Sequence, residues 1–325
     1  MVIIDTELLS KFLDFGQSVL NNPGSAIILL LILIVIFGII ICIVYRKSKV
    51  VQKIINTFEN ILFPIVKKEK VIMVIFTKHS ANTKEIKNKY ALVGYKKVGI
   101  DYCNKFNETD FVNESNIQKI VDKQYKNMIK VKKGLKSKDS LIYLGFPHIP
   151  LAVMDGFNFS NTDNIILYEY KGALTNSSEK GFFELEKKYN SDIKILSNYN
   201  GYNLKGNEII LKIEQSFKIN DDEVKAIVGN VDVIYLKNTK VFRWGITTYA
   251  DVDIFVKEFY RVLEWAKDNG VKKIHLVATT PVSLTFSLGK VIEHYHPDII
   301  VYNYNDNKYD WCIDVKKRKV KILNS

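Results

Sequence analysis

The sequence predicts an α/β fold of two tandem Rossmann-like units, preceded by one membrane-spanning α-helix. Three observations carry that expectation. A charge-free apolar run, AIILLLILIVIFGIIICIV, fills residues 26–44. From residue 71 onward, apolar strand patterns alternate with amphipathic helix patterns. The order strand, short Pro-containing loop, helix, strand then occurs twice, about 133 residues apart.

Residues 1–25 form a short amphipathic segment, with Ile4, Leu8, Phe12, Phe15 and Val19 at helical spacing. The run that follows has 19 residues, which as a helix reaches roughly 29 Å, the thickness of a bilayer's hydrocarbon core. Tyr45, Arg46 and Lys47 follow it directly, where a cleaved signal would need small residues. The segment 26–45 is therefore expected to span the membrane. Asp5, Glu7, Lys11 and Asp14 lie before the run, and Arg46, Lys47, Lys49 and Lys53 crowd its C-terminal end. The positive-inside asymmetry places the N-terminus outside the inner membrane and the rest of the chain in the cytoplasm. Residues 46–68 read as an amphipathic connector helix, carrying Val51, Ile54, Ile55, Phe58, Ile61, Leu62 and Ile65.

The chain has 325 residues and a formal net charge of +12. The residues ahead of Arg46 contribute −2, so the remainder carries +14. That surplus favours a polyanion: anionic lipid, nucleic acid or a nucleotide. Cys42, Cys103 and Cys312 are too scattered for a metal knuckle or a disulfide framework.

Residues 69–325 are read as the two units, the first about 69–205 and the second about 206–325. The first opens on the strand 71–76 and the second on the strand 231–236. Each leads to an amphipathic helix stopped by a glycine. Ile117, Ile120, Val121, Tyr125, Met128 and Ile129 run up to Gly134; Val252, Val256, Phe259, Leu263 and Ala266 run up to Gly270. The closest match comes next. Strand 141–144, loop 145–150, helix 151–156 and strand 165–170 parallel strand 274–277, a loop from Ala278, helix 283–289 and strand 299–304.

In open α/β sheets ligands bind beyond the carboxyl ends of the strands, where helix N-termini favour an anion. Four loops follow from that rule: 77–80, 145–150, 237–240 with 242–244, and 279–283. Lys78, Lys237 and Arg243 suit phosphates. Ser80, Thr279, Thr280 and Ser283 offer hydroxyl donors, and Phe146, His148 and Trp244 offer stacking faces. His79, Pro147 and Pro281 complete the candidate ligand-binding set. No Gly-rich P-loop, G-x-G-x-x-G, H-E-x-x-H or metal-spaced carboxylate cluster is present. No catalytic residue and no metal ligand is therefore assigned, and the chain is not expected to be an enzyme. The enzymatic alternative, a membrane-anchored nucleotide-cleaving protein, would rely on His79 or His148. The other alternative is a membrane adaptor whose basic face takes anionic lipid or nucleic acid.

Residues 273–289 (KIHLVATTPVSLTFSLG) followed by 297–302 (PDIIVY) resemble the C-terminal signature of SAVED domains. Residues 145–152 and 214–220 (EQSFKIN) are similar to other parts of the same family, and the likeness covers roughly 70–315. Where many relatives have a plainer alanine-rich loop, this chain has Thr279-Thr280. The resemblance implies two fused CARF-like units that sense a cyclic oligonucleotide made by a CD-NTase in CBASS anti-phage defence. A cyclic trinucleotide is the ligand it favours, with no other cofactor. It also implies a homo-oligomer formed through SAVED–SAVED contacts, with no DNA or RNA polymer as partner. Joined to the apolar run, it implies a membrane-lipid effector: ligand binding, oligomerisation and inner-membrane disruption leading to abortive infection.

Overall fold

The computed structural model describes residues 70–76, 96–106, 108, 111–134, 140–160, 165–171, 181–243, 245–305 and 307–323. The expected N-terminal segment, spanning helix and connector lie outside them. The chain divides into two units after Lys68, and every described residue falls in the second, Glu69–Ser325. Among the described residues no helix is long and apolar enough to cross a membrane.

The first half builds a five-stranded sheet in the order β2-β1-β3-β4-β5. Its strands are β1 (Lys70–Phe76), β2 (Lys96–Asp101), β3 (Ser140–Phe146), β4 (Ile165–Lys171) and β5 (Gly181–Glu184). The first four pair in parallel, and β5 closes the sheet antiparallel to β4. Among the described residues its helices are the short α1 (Cys103–Phe106), α2 (Glu114–Gly134) and α3 (Ile149–Asn158). Asn113 starts α2, its side-chain oxygen accepting from Asn116 N at 3.0 Å.

The second half repeats the plan in a seven-stranded sheet, order β12-β11-β10-β9-β7-β8-β6. Its strands are β6 (Ile195–Ser197), β7 (Glu208–Glu214), β8 (Asp232–Asn238), β9 (Lys273–Thr279), β10 (Asp298–Asn305), β11 (Lys308–Asp314) and β12 (Lys319–Ile322). Its helices are α4 (Asp221–Val228), α5 (Tyr249–Asp268) and α6 (Val282–Lys290). Thr248 and Asp251 cap α5 reciprocally, Thr248 Oγ1 accepting from Asp251 N at 3.1 Å and Asp251 Oδ2 from Thr248 N at 2.9 Å. Past its other end, Gly270 takes the left-handed φ of +76° that the sequence pattern calls for.

The strands β3 and β9, the helices α3 and α6, and the strands β4 and β10 each start 133 positions apart, the spacing read from sequence. The opening strand of the repeat is corrected. The central strand that corresponds to β1 is β7, since each pairs in parallel on both sides. The run 231–236 becomes β8, the counterpart of β2. Lys212 disguises β7, because a lysine inside an apolar strand reads as an exposed edge. Here it is buried and its ammonium is satisfied by Glu214, Asp221 and the Ile219 carbonyl. The second sheet also takes in β6, ahead of residue 206 where the second unit was expected to begin.

The halves join through α3 and α6. A Cβ built on Gly156 would lie 1.9 Å from the Phe286 carbonyl oxygen, and one on Gly289 would lie 2.1 Å from that of Val153. Both glycines are therefore needed for backbone to touch backbone. Each helix also packs on the other half's sheet, α6 over β3 and β4 and α3 over β10 and β11. Tyr143 of β3 stacks on Phe286 of α6 at 4.0 Å. One hydrophobic cluster runs through both halves, from Ile117, Val121 and Leu151 to Phe255, Phe286 and Trp311. Outer segments are exchanged as well. The strand-like segment after β5 binds the start of α5, where Tyr249 N donates to the Glu186 carbonyl at 3.0 Å. The β11–β12 turn binds α2, where Gln118 donates to the Arg318 carbonyl and accepts from Val320 N, each at 3.0 Å.

Beside the helix crossing, Asp155 is fully buried. Tyr143 Oη donates to it at 3.0 Å and Gln124 Nε2 donates to its other oxygen. Burial outweighs those bonds and pushes its pKa up to about 8.

Two outcomes follow. Gly289→Ala must separate two backbones, so denaturant unfolding of the purified protein should show a loss of at least the roughly 1–3 kcal/mol typical of overpacking. Asp155 holds a proton in the folded state that the unfolded chain releases above about pH 4. Its contribution is complete below that pH and lost as pH rises toward about 8. Unfolding midpoints measured across that window should fall with pH, and Asp155→Asn should flatten the decline.

Candidate functional site

The chain leaves β7 toward β8 on one side and reaches β9 on the other, so the crevice beyond Glu214 is the switch point of the second sheet. In register, Glu214 lies between Lys237 of β8 and Thr279 of β9. The loop 215–220 rises from this point and is anchored from below. Lys212 and Glu214 hold Ile219 at both its carbonyl (3.0 Å) and its amide (2.7 Å). Thr279 holds the loop from the side: its carbonyl accepts from Ser216 N at 2.8 Å, and its hydroxyl donates to the Phe217 carbonyl at 2.6 Å.

This anchoring presents Phe217 with 53% of its surface exposed. Phe242, 51% exposed, comes up beside it from the β8–α5 loop. Its amide donates to the Gln215 carbonyl at 3.1 Å, and Gln215 Nε2 donates back to the Phe242 carbonyl at 3.4 Å. A Cβ on Gly245 would meet Gln215 at 2.3 Å and the Phe242 ring at 3.1 Å, so glycine keeps this loop close. The Arg243 guanidinium lies 5.7 Å from the Phe217 ring centre, and the Lys237 ammonium 4.6 Å from that of Tyr235. Two exposed aromatic rings, Phe217 with Arg243 beside it and Phe242, share this rim with half-buried Lys237, a surface that can stack on bases and neutralise phosphates.

The N-terminus of α6 carries a carboxyl group of the protein's own. Glu169 of β4, 7% exposed, accepts from Ser283 N at 3.0 Å and Ser283 Oγ at 2.7 Å. Burial raises its pKa, and the bonds from Ser283 pull the other way. Thr280 is buried with its hydroxyl 2.7 Å from that of Thr285, and Pro281 is the N-cap residue of α6. These three expected residues thus sit at the junction of the halves.

The first-half loop is also drawn into that junction. His148 is 4% exposed, with the Phe106 ring 4.4 Å away and the Trp311 ring of the second half 5.7 Å away. Pro147 is buried, and Phe146 packs edge-on against Tyr170 at 4.8 Å. The Glu169–Ser283 and His148–Trp311 contacts put the carboxyl ends of both sheets at one end of the unit. Lys78, His79, Ser80 and Trp244 lie outside the described residues. Among the described residues, no group of three or more His, Cys, Asp or Glu side chains is placed to hold a metal ion.

Residues 124–315 match SAVED, the SMODS-associated and fused to various effectors sensor domain. This chain belongs to the SAVED family. Two solved structures of the SAVED/CARF-domain receptor Cap4 from Acinetobacter baumannii share its fold, one with the cyclic trinucleotide 3'3'3'-cAAA and one with 2'3'3'-cAAA. Each aligns with a TM-score of 0.52 at 18% identity, over 78% of this chain and 54% of the receptor. The chain thus spans about half the length of those receptors. No curated protein matches it.

Within this SAVED domain, the sequence pattern assigned Lys237, Arg243 and Thr279 to the ligand set; it placed Phe242 in a candidate loop and Gln215 and Phe217 in a segment resembling the family without assigning them to the ligand, and it did not single out Glu169. The signal for the loop residues was EQSF at the end of an apolar run, which marks a switch point only once β7 is recognised as central. Glu169 carried no signal, because its partner is 114 positions away. Its removal should be felt in stability: Glu169→Ala leaves buried donors at Ser283 unpaired, a cost of about 1–3 kcal/mol, measurable by denaturant unfolding.

Proposed function

We propose that this protein is a non-enzymatic sensor-effector of bacterial anti-phage defence that binds a cyclic oligonucleotide, a cyclic trinucleotide being the favoured class. Binding drives oligomerisation of the SAVED domain and disruption of the inner membrane through the apolar segment 26–44. The observation that carries the sensor part is the rim around β7 in a SAVED fold, where Arg243 lies by exposed Phe217, Phe242 is exposed on the adjoining loop, and Lys237 is in register with Glu214. Similarity to a receptor solved with a cyclic trinucleotide supports the ligand class. The membrane part rests on the length and flanking charge of the apolar run. A lone apolar helix conducts nothing, since its backbone is bonded internally. Injury therefore requires many helices gathered at high effective concentration by the ligand-bound domain. The messenger would come from a CD-NTase, as in CBASS systems.

Calorimetric titration with cyclic di-, tri- and tetranucleotides, reading particle size in the same samples, tests the sensor. One ring should bind and enlarge the particles; binding by none overturns the reading. Base stacking contributes about 1–3 kcal/mol, so Phe217→Ala should weaken binding roughly fivefold or more with little change in unfolding midpoint. Cells producing the protein together with its messenger should lose membrane potential, and retention of the potential would overturn the effector half.

A further inference from the structure

The long helices α2 and α5 occupy corresponding places in the two halves and bury similar apolar faces, but their outer faces differ in charge. In α2, Lys119, Lys123, Lys126, Lys130 and Lys133 recur at spacings of four and three, and all five are exposed. At 3.6 residues per turn they form one stripe, roughly 21 Å long, opposite the buried Ile117, Val121 and Met128. Its two acidic residues, Glu114 and Asp122, lie off the centre of that line, and Asp122 accepts from Gln118 at 3.0 Å. Among the described residues none of the five lysines forms an ion pair. Gln118 pins the β11–β12 turn against the same helix, adding exposed Lys319 beside the stripe.

In α5, by contrast, both signs occur and pair with each other: Arg261 with Glu258 at 2.9 Å, and Lys267 with Glu264 and Asp268. A second copy of this chain therefore presents no unpaired acidic stripe on α5 to match α2. The exposed large apolar residues among the described ones, such as Phe217 and Tyr295, lie on other elements. The rings nearest the stripe are half-buried and covered by the protein's own cations, Tyr102 by Lys123 at 5.1 Å and Tyr125 by Arg318 at 4.0 Å, so they do not offer the exposed stacking faces that single-stranded nucleic acid uses. A straight row of ammonium groups on one helix face fits a flat sheet of anionic headgroups.

We infer that the α2 lysine stripe docks the SAVED domain on the anionic surface of a bilayer. This rests on the membrane-anchored reading above, which keeps the domain within reach of such a surface. Docking orients the domain by the first half's outer helix, and each lysine near an anionic surface is worth roughly fivefold in partition.

The test uses the full chain reconstituted in vesicles of phosphatidylcholine, with or without phosphatidylglycerol, followed by brief amine-reactive labelling and mass spectrometry. The five α2 lysines should label roughly fivefold more slowly in the phosphatidylglycerol vesicles. Lys272, exposed elsewhere, should be unaffected, and high salt should erase the difference. Lys123→Gln, Lys126→Gln and Lys130→Gln together should abolish protection of Lys119 and Lys133 while leaving calorimetric binding of the cyclic oligonucleotide intact. Equal labelling in both vesicles overturns the inference. So does protection by an RNA or DNA oligonucleotide alone, or protection that depends on protein concentration without anionic lipid. Flotation with neutral vesicles reports anchoring separately. If the chain does not float, pelleting with phosphatidylglycerol vesicles but not neutral ones still supports docking, and pelleting with neither overturns it.

Discussion

The unit depends on the close crossing of α3 and α6. The two contacts are related by the repeat: Gly156 faces the Phe286 carbonyl, Gly289 faces the Val153 carbonyl, and each residue of one contact lies 133 positions from its counterpart in the other. Because neither glycine has a Cβ, the helices meet at their backbones, and each reaches across to cover strands of the other half. The single apolar cluster that runs through both sheets follows from this approach. A side chain at either glycine would push apart the two sheets that this cluster joins.

The same crossing makes departures from symmetry informative. Ser283 at the start of α6 corresponds to Pro150 at the start of α3, and Glu169 of β4 corresponds to Tyr302 of β10. Among the described residues, α6 therefore receives a carboxyl group from the opposite half at its N-terminus, and α3 does not. The α6 N-terminus, which backbone dipoles would otherwise offer to an external anion, is already occupied. Exposed Arg243, Phe217 and Phe242 lie instead around β7, where Lys212 and Glu214 support the loop 215–220 from inside the sheet. The buried Lys212–Glu214 pair in the second half thus shapes a surface loop, and the buried Glu169 carboxyl of the first half closes a helix end.

The outer helices diverge in the same way. The repeat preserves the apolar positions of α2 and α5 because both must cover a sheet. Their solvent faces are free of that constraint: α5 carries both signs, with Arg261 and Lys267 paired to acidic neighbours, and α2 carries a row of lysines. Packing sets the first pattern and leaves the second open to function.

The amino-acid sequence by itself determined the repeat, the strand–loop–helix–strand order and the loops at the strand ends, because those depend on local hydrophobic periodicity and on Pro and Gly positions. The run 145–156 and the run 279–289 were legible for that reason. It also carried the SAVED signature at 273–302. What only the tertiary structure decided were the long-range partnerships. Lys212 could be recognised as buried only after Asp221 and Ile219 had folded back onto it. His148 looked like a stacking residue until Trp311 came to lie beside it. Ser283 looked like a donor for a ligand until Glu169 reached it. A side chain's partners in space decide whether its polarity is already satisfied, and neither periodicity nor spacing carries that information across a hundred residues.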